Sequence, residues 1–246
     1  AALVVVLHGC GETAASVAAH SGWSTLADRR RFYVVYPEQQ AANNAYGCFN
    51  WYRPADHTRG KGEALSIKQM VDWIAARHTV DPKRVFVSGL SAGGAMAVSL
   101  LAAYPDVFAG GAPMAAIPHG CATDLLSGNS CMKGAQNTAK AWGDLARAAA
   151  PGHSGPHPRV VLFHGTEDKL VSPSNLTELM EQWTRVHNTD TVADASATID
   201  GHTRRDYRSK GAVVVTTYTL QGMGHGMAVD PGTGARQGGA SGAFYH

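Results

Sequence analysis

Short apolar segments that alternate with helix-like segments constrain the fold of this chain more than any other feature. The apolar segments cover residues 2–7, 32–36, 85–87, 159–163 and 213–220, and the first of them lacks the polar alternation of a half-exposed strand. Helix-like segments fall between them, at 22–31, 63–78, 92–104, 138–149 and 176–186. This order predicts βαβ units and therefore an α/β fold with a mainly parallel sheet flanked by helices.

The length and charge of the chain limit its organisation and its partners. The 246 residues contain no internal repeat or low-complexity linker, so we expect a single α/β domain over 1–246. A net charge of +2 gives no electrostatic footprint for nucleic acid or a membrane surface, and no apolar run reaches the ~20 residues of a membrane helix. Nothing indicates an obligatory protein partner. The chain begins inside a predicted strand and ends in a glycine-rich stretch, so we expect a closing helix and one or two leading strands to lie outside it.

A serine occupies a predicted sharp turn between a strand and a helix. The sequence Gly89-Leu90-Ser91-Ala92-Gly93 follows the strand at 85–87 directly and leads into the helix at 92–104. A strained turn of this kind exposes the serine hydroxyl and leaves no room for a Cβ two residues before or after it, which explains both glycines. The alternative is a glycine-rich helix start without a role. In this strand–turn–helix setting we predict that Ser91 is a nucleophile.

A serine nucleophile requires a base and a carboxylate that orients the base. In the strand–serine–helix pattern, the acid precedes the histidine along the chain. The strand at 159–163 leads into a loop with two candidate acids, Glu167 and Asp168. We predict Asp168, because the apolar residues that follow it would fix its direction.

The predicted base comes from the loop after the last strand. His225 lies among glycines just past the strand at 213–220, and it is last in order. His202 precedes that strand, at the wrong end for this role, and we expect it to be exposed. His164 shares the correct edge of the sheet but precedes the acid. We therefore predict that His225 is the base.

Two backbone N–H groups are predicted to hold the oxyanion of the reaction. One is the N–H of Ala92, directly after the nucleophile. The other belongs to the loop His8-Gly9-Cys10-Gly11 after the first strand, where we assign the Cys10 N–H and expect His8 to brace the loop. An ordinary turn after a strand is the alternative.

The cysteines and the aromatic residues leave alternatives open. Cys10, Cys48, Cys121 and Cys131 allow three disulfide connectivities, or four buried thiols. No C-x-x-C pair is present, so we predict no metal site. In the long loop after the second strand, Trp51 with its neighbours Phe49 and Tyr52 could present an apolar surface to a substrate, or simply pack over the edge of the core.

Six motifs occur in a characteristic order: HGC, YPEQ, GCFNWY, GLSAGG, HGTEDKLV and GMGH. Together they closely resemble the catalytic domains of extracellular poly(3-hydroxybutyrate) depolymerases and related secreted esterases, including feruloyl esterases. The resemblance covers essentially residues 2–230. It implies an α/β-hydrolase fold, secretion and a catalytic triad of Ser91, Asp168 and His225. Family members often carry a separate polymer-binding module, and we recognise none in these residues.

The resemblance also makes disulfides the better interpretation of the cysteines. A Cys10–Cys48 bond would tie the oxyanion loop to the aromatic loop, and Cys121–Cys131 would be a short local bridge. The predicted function is hydrolysis of a polyester or its oligomers through an acyl-enzyme, without cofactor or metal. Alternatives are a feruloyl or acetylxylan esterase on the same scaffold, or a non-catalytic hydrolase-like binding protein.

Overall fold

An eight-stranded sheet forms the centre of the computed structural model, which describes residues 1–235 and 237–246. The strand order is β2-β1-β3-β4-β5-β8-β7-β6, with parallel pairing from β2 to β8 and antiparallel pairing for β7 and β6. The mainly parallel sheet is therefore confirmed. The strands are β1 (Leu3–Leu7), β2 (Tyr33–Val35), β3 (Val85–Leu90), β4 (Gly110–Met114), β5 (Arg159–Gly165), β6 (Ala195–Ile199), β7 (His202–Ser209) and β8 (Ala212–Leu220).

Helices flank this sheet, and one of them is buried along its whole length. All residues of α5 are buried, because its many alanines and glycines let it pack closely against β1, β3 and β4. None of the helices in the described part of the chain is both long and apolar enough to cross a membrane. The helices are α1 (Ala14–His20), α2 (Trp23–Arg30), α3 (Pro54–His57), α4 (Gly62–Arg77), α5 (Ala92–Ala103), α6 (Leu125–Met132), α7 (Ala139–Ala148) and α8 (Asn175–Val186).

The antiparallel hairpin of β6 and β7 is absent from the sequence-based prediction. β7 consists mostly of polar and charged residues, and β6 is exposed throughout, so no buried apolar run marks either strand. We predicted that His202 lies at the end of the last strand remote from the site. This prediction is wrong, because His202 belongs to the hairpin. Because β7 runs antiparallel to β8, Thr203 pairs with Thr219 and His202 lies at the carboxyl-terminal end of β8. It is half-buried there, and its Nδ1 accepts a hydrogen bond from the Gln221 N–H.

Two disulfides fasten the loops at the carboxyl-terminal edge of the parallel strands. Cys10 is bonded to Cys48, and Cys121 is bonded to Cys131. The first links the loop after β1 to the long loop after β2. The second links α6 to the segment before it. Both pairings are those that the family resemblance implies.

Candidate active site

Ser91 occupies a strained turn between β3 and α5. Its φ of 58° and ψ of −118° lie outside the regions that non-glycine residues normally adopt. A Cβ on Gly89 would lie 2.5 Å from the Gly93 carbonyl oxygen, and a Cβ on Gly93 would collide with the backbone at the end of β1. The Ser91 N–H donates to the Met114 carbonyl at 3.0 Å, which fastens the turn to β4. The two glycines are therefore required by close backbone contacts.

The start of α5 leaves polar groups free next to the serine. Within the described residues, the Ser91 hydroxyl makes no capping hydrogen bond to the helix. The N–H of Ala92 is the first of α5, and among those same residues it has no hydrogen-bond acceptor although Ala92 is buried. An unpaired N–H at a helix N-terminus stabilises negative charge beside it.

Asp168 lies in the loop after β5, where it is buried and both of its carboxylate oxygens accept hydrogen bonds. Its Oδ1 accepts hydrogen bonds from the N–H groups of Leu170 and Val171, both at 2.9 Å. Its Oδ2 lies 2.7 Å from His225 Nδ1. Burial favours the neutral acid, but the contacts with His164, His225 and the Val171 N–H outweigh it and hold the pKa of the Asp168 carboxyl well below its ordinary value. The carboxylate therefore stays ionised at neutral pH.

Glu167, the other candidate acid, lies outside this arrangement. Its side chain is 60% exposed and pairs with Lys169 at 3.2 Å. Its backbone N–H instead donates to the Met223 carbonyl at 2.9 Å, which fastens the loop after β5 to the loop after β8. A Cβ on Gly165 would collide with that same carbonyl, so the two loops can approach only because residue 165 is glycine.

His225 lies in the loop after β8 with its side chain 9% exposed. Since Nδ1 faces the Asp168 carboxylate, Nδ1 carries a hydrogen and donates it, and Nε2 is the nitrogen left to exchange a proton. The carboxyl-terminal ends of β3, β5 and β8 share one edge of the sheet, which is also the edge of Ser91.

A second histidine contacts the same oxygen of Asp168. His164 Nε2 lies 3.2 Å from Asp168 Oδ2, and both side chains are almost completely buried. We excluded His164 as the base because it precedes the acid along the chain, and no sequence pattern predicted its contact with Asp168. The signal that could have found it is its spacing, because a residue at the end of a strand and an acid four residues later, across a tight turn, can face each other.

The loop after β1 is braced on several sides. His8 donates from Nδ1 to the Gly9 carbonyl at 2.7 Å, and its Nε2 accepts from the Gln39 N–H at 3.0 Å. The Cys10 N–H has no acceptor among the residues described, and Cys10 itself is exposed. The loop thus keeps one unpaired N–H on a backbone fixed by hydrogen bonds and the Cys10–Cys48 disulfide.

A carboxylate that sequence reasoning missed also holds this loop. Glu12 accepts the Gly9 N–H on Oε2 at 2.9 Å and the Tyr245 hydroxyl on Oε1 at 2.7 Å. Burial, reinforced by the Glu12 carboxylate, raises the pKa of the Tyr245 phenol well above its ordinary value. Tyr245 packs in one cluster with Leu90 and Met227, next to the nucleophile turn and the histidine loop. Glu12 therefore connects the loop after β1 to the last residues of the chain.

The aromatic residues of the long loop after β2 are buried. Phe49 packs against the His8 ring at 4.8 Å between centroids, and Trp51 meets Tyr52 edge-on at 5.6 Å. All three rings belong to the main core cluster, so they do not present an apolar surface. Asn50 draws the loop inward, because its backbone and side-chain amides donate to the buried carboxylate of Glu63 at 2.7 Å. Packing over the edge of the core is the arrangement found.

The order of these features along the sheet places the chain among the α/β-hydrolases. The strained turn of Ser91 follows β3, Asp168 follows β5, His225 follows β8, and helices cover a mainly parallel sheet. A family model described as "Esterase PHB depolymerase" matches residues 1–209, and the chain belongs to this family.

Individual relatives agree with this family. Poly(3-hydroxyalkanoate) depolymerase C of Paucimonas lemoignei is 53% identical over 246 residues, which cover 99% of this chain and 59% of the relative. Acetylxylan esterase of Coprinopsis cinerea is 36% identical, covering 92% of this chain and 61% of the relative. The chain thus spans about three fifths of the length of these proteins. The solved structure of an acetyl xylan esterase from Aspergillus awamori matches with a TM-score of 0.85 and 26% identity over 91% of this chain and 83% of that one.

Proposed function

We propose that this chain is a secreted serine esterase that hydrolyses poly(3-hydroxybutyrate) or its oligomers. The observation that carries the proposal is the hydrogen bond between buried Asp168 and His225 at the sheet edge that holds the strained Ser91. A carboxylate, an imidazole and an unengaged hydroxyl in this order are the components of a serine hydrolase.

In the proposed reaction, Ser91 Oγ attacks the ester carbonyl carbon while His225 Nε2 accepts the hydroxyl proton. Asp168 orients His225 and stabilises the imidazolium that forms. The N–H groups of Cys10 and Ala92 hold the oxyanion of the tetrahedral intermediate. The intermediate then expels the alcohol, which takes the proton from His225. Water, deprotonated by His225, attacks the acyl-enzyme and releases the carboxylic acid, and Ser91 recovers its proton.

The N–H groups that stabilise the oxyanion are fixed before substrate binds. The Ala92 N–H lies at the start of a buried helix, and the loop of Cys10 is held by hydrogen bonds and a disulfide. Donors that need no reorganisation stabilise the oxyanion most effectively, and each is worth about 2.7–4 kcal/mol.

The substrate class rests on the relatives. The depolymerase of Paucimonas lemoignei is 53% identical, whereas acetylxylan and feruloyl esterases are 29–36% identical. The second candidate is an acetylxylan or feruloyl esterase, which the fold match to the Aspergillus awamori enzyme favours. Hydrolysis of a polyhydroxybutyrate film, compared with acetate release from acetylxylan and ferulate release from arabinoxylan, separates the candidates. Faster release from either xylan substrate would refute the polyester assignment.

Substitution of the nucleophile tests the reaction itself. We expect Ser91→Ala to lower kcat on a nitrophenyl ester by on the order of 10⁶. Ser88→Ala is the matched control, because it also removes a hydroxyl from the end of β3, but one that donates to the Ala112 carbonyl. Labelling by an active-site phosphonate should be lost in Ser91→Ala only. Turnover by Ser91→Ala at a tenth of the wild-type rate would refute the assignment of Ser91 as nucleophile. A wild-type protein that neither labels nor hydrolyses the ester would favour the non-catalytic alternative.

Secretion is part of the proposal. Disulfides persist in oxidising compartments, and the chain carries two. Thiol titration of the denatured, unreduced protein from the culture medium should give close to zero free thiols per chain, whereas four would contradict it.

A further inference from the structure

His164 lies near the end of β5, in contact with the proposed catalytic carboxylate. Its Nε2 lies 3.0 Å from the Val171 carbonyl oxygen and 3.2 Å from Asp168 Oδ2. The His164 side chain is 1% exposed and that of Asp168 is 0% exposed. The contact is therefore shielded from water. Electrostatic interactions are stronger in such an environment than in bulk water.

The surroundings determine where the His164 ring carries its hydrogen. Nε2 faces the Val171 carbonyl and the Asp168 carboxylate, and neither oxygen has a hydrogen to give. Nε2 must therefore be the donor. The hydrogen bond of Nε2 is to the Val171 carbonyl oxygen, and Asp168 Oδ2, which accepts from His225, lies beside the same N–H at 3.2 Å.

The other nitrogen of this ring gives an independent reason to assign His164 a role. His164 Nδ1 is buried and has no hydrogen-bond partner within residues 1–235 and 237–246. A buried polar atom without a partner destabilises a fold, so packing alone would favour an apolar residue here. An imidazole at this position supplies an N–H to the Val171 carbonyl and keeps that N–H beside the Asp168 carboxylate, which an apolar residue could not do.

We propose that His164 is a positioning residue for the esterase reaction, whose Nε2–H holds Asp168 Oδ2 in line with His225 and offsets part of its negative charge. The proposal rests on the proposed function. With the Oδ1 atom fixed by two backbone N–H groups, His164 prevents Oδ2 from turning away from His225. By drawing charge from Oδ2, it also limits how strongly Asp168 stabilises the imidazolium of His225. The nearby charges of Glu167 and Lys169 are exposed and pair with each other.

Two polar substitutions of different length test this role. His164→Gln can place an amide N–H near the former Nε2, whereas the amide of His164→Asn is too short to reach Asp168. We expect His164→Asn to lower kcat on a soluble nitrophenyl ester about tenfold with little change in KM. The acid limb of its kcat/KM profile should move to higher pH, because an imidazolium at 225 then faces a carboxylate with one donor fewer. His164→Gln should recover most of kcat and the wild-type profile.

His187→Asn is the matched control, because His187 Nε2 contacts the Pro158 carbonyl at 2.9 Å, as His164 contacts Val171, but without a carboxylate beside it. It should leave the pH profile unchanged. Equal profiles for His164→Asn and His164→Gln, or a shift in His187→Asn as large as that in His164→Asn, would overturn the role of His164. If Ser91→Ala has lost activity, that failure concerns His164 alone. Activity that survives in Ser91→Ala overturns the proposed function and this role together.

Discussion

The hydroxyl of Tyr245 fastens the last residues of the chain to the loop after β1, and we expect its removal to lower the thermal stability of the protein. Tyr245 is 3% exposed, and its hydroxyl donates to the Glu12 carboxylate at 2.7 Å. A hydrogen bond to a charged group contributes about 1.5–3 kcal/mol. Tyr245→Phe removes only this bond and keeps the ring between Leu90 and Met227. For a chain of this size, each kcal/mol corresponds to about 2–4 °C, so we expect Tm to fall by roughly 3–12 °C.

The same substitution should slow the reaction. Glu12 keeps its bond to the Gly9 N–H but loses the partner that fixes its other oxygen, so the oxyanion loop gains freedom. We expect kcat to fall about three- to tenfold with little change in KM, because an oxyanion donor acts on the transition state. Thermal unfolding followed by circular dichroism and initial rates on a nitrophenyl ester measure the two effects.

Tyr36→Phe is the control for Tyr245→Phe. The Tyr36 hydroxyl shares a hydrogen bond with the neutral Ser24 hydroxyl at 2.8 Å. A neutral pair contributes about 0.5–1.5 kcal/mol, so the control should lose less stability and no activity. A Tm loss in Tyr245→Phe no larger than that in Tyr36→Phe would refute the reasoning from the Glu12 carboxylate.

Two further predictions concern Asp168. Asp168→Asn should lower kcat about 10⁴-fold, because an amide NH₂ that faces His225 Nδ1 favours the tautomer with its hydrogen on Nε2, which cannot accept the serine proton; kcat within tenfold of wild type would contradict this. The depressed pKa of Asp168 predicts a stabilisation that is present above the unfolded value of about 3.9 and is lost as the pH falls below it. The difference in unfolding free energy between wild type and Asp168→Asn, from urea titrations at pH 7, 5 and 3, should therefore shrink on acidification. A constant difference would refute the assignment.

Sequence reasoning succeeded where burial leaves a local pattern. The strands β1, β3, β5 and β8 are rich in apolar residues, and helices such as α4 and α8 carry apolar stripes. The central strand β4, with two glycines and a proline, has no such run and is not among the predicted strands. The β6–β7 hairpin has one or both faces in water, so its polar sequence resembles a loop. Trp73 shows the limit of such patterns, because this large aromatic residue of α4 is 53% exposed, with the Arg77 guanidinium 4.1 Å from the centre of its ring.

The residues of the candidate site fall into the same two groups: those that a sequence pattern predicts and those that it does not. Chain order and the shared sheet edge select Asp168 and His225, and the structure brings these two into contact. The Glu12–Tyr245 pair joins residues from opposite ends of the chain, so no local pattern marks it. Whether the loop after β2 turns its rings outward depends on the buried carboxylate of Glu63, which lies on α4. Contacts of this kind become visible only when the chain is folded.

The burial of α5 on all sides has a consequence for how enzymes of this shape diversify. A helix with no solvent-facing residue cannot tilt or slide without disturbing the sheet and its neighbouring helices, so Ser91 at its start is held in a fixed position. New acyl or alcohol groups must then be accommodated by the connecting segments around the serine. A fixed helix α5 combined with variable connecting segments would produce relatives of different specificity on one scaffold. The relatives of this chain are named for polyester, acetylxylan and feruloyl esters.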